Sequence, residues 1–513
     1  MYGKVFSACL QGIDGKVIEV ELDISNGLPQ TIVVGLPDSA IREAVERVRS
    51  AIRNCGFVFP MERITVNLAP ADLRKEGSAF DLAIAAGILA ASGQTSRMLP
   101  PRTLIVGELA LDGSVRPVPG VLSMVHSARD KGIGTVLLPA ENAAEALLIE
   151  GIRVCPLAHL RELKDCSELE FINDMNCLDR KIPAGSDTSE PWFEDYSDVD
   201  GQHLAKRALT IAAAGMHNIL LIGPPGTGKT MLLRRLPTIL AEMSEEEALE
   251  VTKIHSAAGK FREQARLIRT RPFRSPHHTV SAAGLIGGGT VPKPGEVSLA
   301  HHGVLFLDEL PEFSRHVLEV LRQPLEDRQV TIGRARAVYT FPSRFMLAAS
   351  MNPCPCGYRG AETESHQCIC SPLKVQQYLS RISGPLLDRI DLHVEVPRMD
   401  YSQLGGSGPS SSSADMRKAV AAAQGRQEAR YRNMPIRFNS ELSGQTLRRA
   451  CPLGKEARAL LEACYQTLGL SVRAHDRILK IARTIADLED CENISAAHLA
   501  EAIQYRHLDK KPV

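Results

Sequence analysis

Aromatic side chains are scarce in this chain: they make up 4 % of its 513 residues, with one tryptophan. That leaves little material for a surface that grips single strands by stacking bases on rings. An excess of charge is also absent, because 60 basic residues face 60 acidic ones. Contact with a polyanion must then come from local clusters rather than from the chain as a whole. Long apolar runs are missing too. The longest, AFDLAIAAGILAA, is too short to cross a bilayer and carries Asp81. The N-terminal MYGKVFSACLQG has neither the charged region nor the apolar stretch of a secretory signal. The expectation is a soluble cytoplasmic protein with no membrane partner. Twelve cysteines in a chain of this length are too dilute for a disulfide-stapled scaffold.

The length exceeds what one hydrophobic core usually holds and predicts about three or four packing units. Residues 1–165 alternate short β-type runs such as KVIEVELDI and QTIVVGL with the helical pattern SAIREAVERVRSAIRNCG, so we expect a small α/β domain. Residues 166–195 turn acidic and lose periodicity, as an interdomain linker does. Over 196–398, three buried-strand runs, in NILLIGPPGTGKT, GVLFLDEL and RFMLAASMNP, are separated by helical stretches. A parallel sheet with crossover helices follows. Residues 399–416, with GGSGPSSSSAD, read as a flexible joint, and 417–513 carry apolar positions at helical spacing, a helical bundle.

The chemistry concentrates in GPPGTGKT, residues 223–230, preceded by an apolar run and followed by a helical pattern. This is the phosphate-loop pattern, made of Gly223, Pro224, Pro225, Gly226, Thr227, Gly228, Lys229 and Thr230. Its glycines let backbone N–H groups close around phosphates. Lys229 supplies a point charge to the outer phosphates, and the Thr230 hydroxyl is placed to ligate Mg²⁺. Some 80 residues on, VLFLDEL ends a buried strand on two acids. Asp308 is the candidate for the Mg²⁺ shell and Glu309 for the general base that polarises water.

VDGQHLAKRALTIAAAGMHNILLIGPPGTGKTML, FRSPHHTVSAAGLIGGG, GVLFLDELPEF and SRISGPLLDRIDLHVEVP together resemble the magnesium-chelatase-like AAA+ ATPases. Nearly end to end, the chain resembles the ComM/YifB family. The resemblance implies an AAA+ P-loop NTPase core (a parallel sheet with flanking helices), a homohexamer, and ATP hydrolysis with Mg²⁺. It also implies a DNA motor of helicase or branch-migration type that promotes DNA integration in homologous recombination or natural transformation. Carried onto this chain, it assigns sensor one to Asn352, the arginine finger to Arg389 in LLDRID and sensor two to Arg473 in SVRAHDR, with Arg477 the competing sensor. A finger acts on a neighbour's nucleotide, so catalysis would require a ring. An intrachain pair of Arg389 with Asp388 or Asp391 is the alternative. Two other classes compete for the ATPase as a whole: a chelatase motor subunit and a protein-remodelling module.

Cys354, Cys356, Cys368 and Cys370 form CxC, eleven intervening residues, then CxC. Four thiolates suit structural zinc, and reduced, unliganded thiols are the alternative. For DNA, single-stranded or branched, two basic segments are candidates. GKFREQARLIRTRPFR sets six basic residues against one acid, and QVTIGRARAVYTF reads as a hairpin presenting Arg334 and Arg336 at its tip. In the ring helicases that the chain resembles, a hairpin at this place faces the pore. AAGLIGGGT, residues 282–290, reads as a mobile insertion. The pairs His277/His278 and His301/His302 are adjacent in sequence and should point to different faces, which disfavours chelation.

RKEGSAFDLAIA and GELALDGSVRPVPG resemble the protease domain of Lon, an S5-type α/β domain, and the related domain of RadA. On that resemblance the nucleophile position falls on Ala79 and the catalytic lysine on Leu122, so the dyad is missing. Ser78, one residue off and without a base, is expected to cap the helix that follows.

Overall fold

The computed structural model describes residues 1–95, 100, 102–165, 169–173, 194–261, 266–289, 292–334, 337–360, 362, 367–399 and 411–506. The first unit is built on a seven-stranded sheet. Its strands are β1 (Tyr2–Gln11), β2 (Asp14–Ser25), β3 (Gln30–Val34), β4 (Arg63–Ala69) and β5 (Thr103–Ile105), followed after a two-residue ribbon of β6 (Glu108–Leu109) and β7 (Val115–Arg116) by β8 (Thr135–Pro139) and β9 (Arg153–Leu157). The order is β3-β4-β2-β1-β5-β8-β9. In β2 the period of two is plain: Ile18, Val20, Leu22 and Ile24 are buried, while Glu19, Glu21 and Asp23 face outward. Helix Asp81–Ala91 is buried from Asp81 to Leu89, which explains its unbroken apolar text. Ile172 exchanges backbone hydrogen bonds with Val154, so the first unit continues past residue 165. Most of the expected linker, 166–168 and 174–193, lies outside the described residues.

The second unit begins with buried Tyr196, whose hydroxyl donates to the Leu232 carbonyl. Its sheet joins β10 (Ile219–Ile222), β11 (Phe273–Arg274), β14 (Val304–Leu307), β17 (Met346–Met351) and β18 (Leu392–Glu395), all parallel, in the order β11-β14-β17-β10-β18. Helices cover both faces, and β10, β14 and β17 are buried throughout, as parallel strands between helix layers must be. Between them lie two ribbons, β12 (Gly287–Gly288) with β13 (Lys293–Pro294), and β15 (Gln329–Arg334) with β16 (Ala337–Pro342). The insertion expected over 282–290 is described over 282–289, where it forms a short helix and a ribbon strand. Ser281 caps helix Ala282–Ile286, and Gly287, at φ +103°, passes so close to the Lys293 carbonyl that a Cβ would lie 2.5 Å from it.

The flexible joint expected over 399–416 ends earlier than its serines suggest. Ser412 caps helix Ser413–Tyr431 through the Asp415 N–H, because a serine before an apolar helical pattern is a better cap than a linker residue. Residues 400–410 lie outside the described residues. Helices Gly444–Ala450, Lys455–Leu468, Val472–Leu488 and Ala496–Gln504 complete the C-terminal bundle. One apolar cluster runs from β10 and helix His203–Gly215 into these helices, so sheet and bundle share a core. No helix among the described residues is long and apolar enough to cross a membrane.

Candidate functional site: the carboxyl edge of the parallel sheet

In an open parallel sheet, ligands bind outside the carboxyl ends of the strands. The phosphate loop leaves β10 there, Asp308 and Glu309 follow β14, and Asn352 follows β17. A Cβ on Gly223 would meet the Val396 carbonyl at 2.2 Å, and Gly228 holds φ +83° at the start of helix Lys229–Arg234. Lys229 is buried. Its ammonium donates to the carbonyls of Gly223 at 2.7 Å and Pro224 at 2.8 Å and to Asn352 Oδ1 at 3.2 Å. Burial pulls its pKa below the ordinary lysine value, and the carboxylates of Asp308 and Glu309 partly offset that.

Thr230 donates to Asp308 Oδ2 at 3.0 Å, and the Ser350 hydroxyl donates to the other oxygen. The Glu309 N–H reaches Asp308 Oδ1 at 3.1 Å and Ser350 Oγ at 3.3 Å. Glu309 stands at φ +53°, a left-handed conformation uncommon outside glycine, and its side chain is exposed. A cradle of backbone closed to side chains, a buried cation and a hydroxyl–carboxylate pair fit a magnesium–nucleotide complex. Ser350 was not legible as part of this site. Its one signal is a polar residue in an apolar strand.

Arg389 and Arg473 lie elsewhere. Asn218, just before β10, donates from Nδ2 to the Arg389 carbonyl at 2.8 Å, and its N–H reaches Asp391 Oδ2 at 3.0 Å, which fixes this segment at the amino edge of the sheet. The Arg389 guanidinium pairs with Glu326 and donates to the Pro385 carbonyl at 2.7 Å. Its intrachain partner is therefore neither Asp388 nor Asp391. Asp391 instead accepts from Arg477, whose charge holds its carboxyl far below the usual range against the effect of burial. Arg389, Arg473, Arg477, Arg328, Arg437 and Lys480 line one cavity of about 640 Å³.

The strands of the hairpin expected at QVTIGRARAVYTF are present, with Arg334 opposite Ala337, but Arg336 and the side chain of Arg334 lie outside the described residues. In β16 the Tyr339 hydroxyl donates to Glu76 Oε2 of the first unit at 2.8 Å. In the other basic segment Arg262 lies outside the described residues, and four of the five remaining basic side chains meet acids. Arg271 is buried against Glu247 at 3.2 Å, Arg274 and Lys260 pair with Glu296, and Arg269 pairs with Glu245. Those acids come from outside the segment, so no reading of the segment alone could reveal them.

The histidine expectation fails at His301/His302. His302 takes φ +56°, and both Nε2 atoms turn to one oxygen of Glu250, at 3.1 and 2.9 Å. Convergence does not make a metal site here. The Arg344 N–H occupies His301 Nδ1 at 3.0 Å, so the ring proton sits on Nε2, aimed at Glu250, and leaves no lone pair for an ion.

The four cysteine Sγ atoms lie within 4.8 Å of one another, with contacts of 3.3 Å (Cys354–Cys356), 3.7 Å (Cys356–Cys368) and 3.8 Å (Cys354–Cys368). A thiolate tetrahedron around zinc, with bonds of about 2.3 Å, has edges of about 3.8 Å.

In the first unit, Ser78 does not cap helix Asp81–Ala91, which has no side-chain cap; its hydroxyl donates to the Glu108 carboxylate. Ala79 and Leu122 are buried in one apolar cluster. Asp81, the one charge in its apolar run, is fully buried and takes a two-pronged bond from Arg47, Nε–Oδ2 2.9 Å and Nη2–Oδ1 3.1 Å. Burial outweighs the arginine and raises its pKa to about 6.

The chain matches the families described as magnesium chelatase, subunit ChlI, over residues 195–404, subunit ChlI of Mg-chelatase over 20–142, and magnesium chelatase, subunit ChlI C-terminal, over 410–506. It is 46 % identical to the uncharacterized protein YifB of Salmonella typhimurium, over 97 % of this chain and 96 % of that one. It is 44 % identical to YifB of Escherichia coli, over 97 % and 96 %, and 43 % identical to the competence protein ComM of Haemophilus influenzae, over 98 % and 97 %.

Proposed function

We propose, since this chain belongs to the ComM/YifB family of magnesium-chelatase-like proteins, that it is a ring-forming ATPase that moves along DNA. Family membership supports ATP binding and hydrolysis in general. The motor reading is ours, and the chain's relative in Haemophilus influenzae, a competence protein, gives it a setting in natural competence. One observation carries it: the phosphate loop and the Arg389–Arg473 cavity occupy opposite edges of one sheet. In this reading neither arginine serves the nucleotide of its own chain, and both serve a neighbour's.

In this reading Gly223, Gly226, Gly228 and Lys229 hold the phosphates, and Thr230 and Asp308 hold Mg²⁺, which would neutralise charge on the phosphate oxygens. Glu309 takes a proton from water that Asn352 helps orient. Arg389 of one protomer neutralises charge developing on the phosphoryl group bound by the next, with Arg473 beside it. The hairpin β15–β16 carries Arg334 and Arg336 to DNA phosphates and reads no bases. A zinc ion at the four cysteines completes the set of cofactors. The first unit is a Lon-like domain without its dyad, a platform for assembly or binding.

The test is a fork or three-strand migration assay of wild type beside Glu309→Gln. Migration by wild type alone, with an ATPase rate that rises with DNA and falls steeply with salt, supports the motor. A hydrolysis rate indifferent to single- and double-stranded DNA counts against it.

A further inference from the structure

The four-cysteine segment touches the nucleotide site, and the ATPase chemistry makes no use of that contact. Asn352, whose side chain accepts from Lys229, stands two residues before Cys354. Gly357 closes the first turn of the segment, donating to the Cys354 carbonyl at 3.0 Å with φ +87°. It lies so close to the phosphate loop that a Cβ there would come within 2.5 Å of Pro225 Cδ and 3.8 Å of Asn352 Cγ. The segment thus backs the phosphate loop at Pro225 through Gly357 and reaches Lys229 through Asn352.

Regular secondary structure does not hold this backing in place among the described residues. Among the described residues from 353 to 370 there is no helix or strand, and Cys354 and Gly357 alone are buried. Such a stretch has no apolar core to fix it and needs a cross-link. The thiols are gathered at the spacing of a tetrahedral site, and the sulfur contacts, 3.3 to 3.8 Å, are far longer than a disulfide bond.

We propose that zinc bound by Cys354, Cys356, Cys368 and Cys370 sets nucleotide affinity, by holding Gly357 against Pro225 and Asn352 against Lys229. This rests on residues 223–230 being the ATP site. Zinc uptake replaces thiol protons, which pass to solvent, and involves no redox step. Loss of the ion frees the segment, and the phosphate loop loses its backing while the sheet beneath it stays folded.

The experiment uses the full-length protein, with metal content measured by mass spectrometry and the affinity for a fluorescent ATP analogue measured before and after chelation. The expected result is about one zinc per chain, with affinity falling roughly tenfold or more on chelation and returning with zinc but not with magnesium. Circular dichroism, which monitors the fold, should barely change. Cys368→Ser should behave as the chelated protein does. Gly357→Val, which keeps all four thiols, should retain zinc yet lose affinity because its side chain displaces Pro225. Should either cysteine or glycine variant fail to fold, chelation and readdition on wild type decide. Folded protein without zinc overturns the metal site. Zinc whose removal leaves affinity unchanged overturns the coupling and leaves the ATP site standing. Zinc-loaded wild type that binds the analogue no better than Lys229→Ala overturns the ATP-site reading itself.

Discussion

Arg389 is paired with Glu326 at the amino edge of the sheet whose carboxyl edge carries Lys229. Arg389 is buried while Glu326 is largely exposed, so service to a neighbour's phosphate requires this pair to open. Arg389→Ala should lower ATP turnover by about 10³-fold or more while leaving nucleotide affinity near wild type. Mixed with inactive Lys229→Ala, it should recover part of the rate, because some interfaces then pair an intact loop with an intact finger. Steady-state ATPase over a range of mixing ratios measures this, and no recovery at any ratio would sink the shared cleft.

Glu309→Gln should separate binding from chemistry. The amide keeps the size of the carboxylate and cannot take a proton, so hydrolysis should fall by about 10²- to 10⁴-fold with the ATP analogue still bound. Lys229→Ala should lose binding itself. Equilibrium binding and turnover, measured side by side, check both.

Arg47→Met tests the buried pair in the first unit. Removing one partner of a buried ion pair costs about 3–5 kcal/mol, and the partial exposure of Arg47 brings the expectation down to about 2 kcal/mol at pH 7.5. Asp81 escapes part of that cost by taking a proton. Its folded pKa, about 6, lies above the unfolded value, so its charge penalises folding above that pH and the penalty fades as pH falls toward 4. Denaturant melts at pH 7.5 and 5.5 should show the smaller loss at the lower pH.

The His301 clamp predicts the opposite slope. Burial holds its folded pKa down at about 4 against an ordinary 6.5, the outcome that a backbone donor on Nδ1 also requires. The unfolded chain therefore binds the extra proton first, and stability should fall as pH drops from about 6.5 to 4, by at most about 3 kcal/mol. His301→Gln keeps an N–H for Glu250 and has nothing to titrate, so its melting temperature should vary less over that window.

The ATPase half was legible because its signals are local. A phosphate loop is contiguous, and a buried strand ending on two acids stands out in the text around Asp308. The parallel sheet and the helical bundle followed from unbroken apolar runs and helical spacing. What stayed hidden depends on partners far along the chain. Glu326 meets Arg389 across 63 residues, and Arg47 meets Asp81 across 34. The basic segment around Arg271 looked open because the acids that neutralise it lie outside it. The histidine pair misled for another reason: neighbours face apart only in extended or helical backbone, and His302 at φ +56° is in neither.

The bond between Tyr339 and Glu76 gives the hairpin a mooring. A ribbon fastened midway along one strand, where Tyr339 pairs with Ile332, cannot slide freely past the other unit; it tilts about that point, as a lever does about its fulcrum. Any larger swing must first break a hydrogen bond to a charged group, worth about 1.5–3 kcal/mol, or carry the first unit along with it. The first unit thereby becomes the anchor about which the hairpin can move.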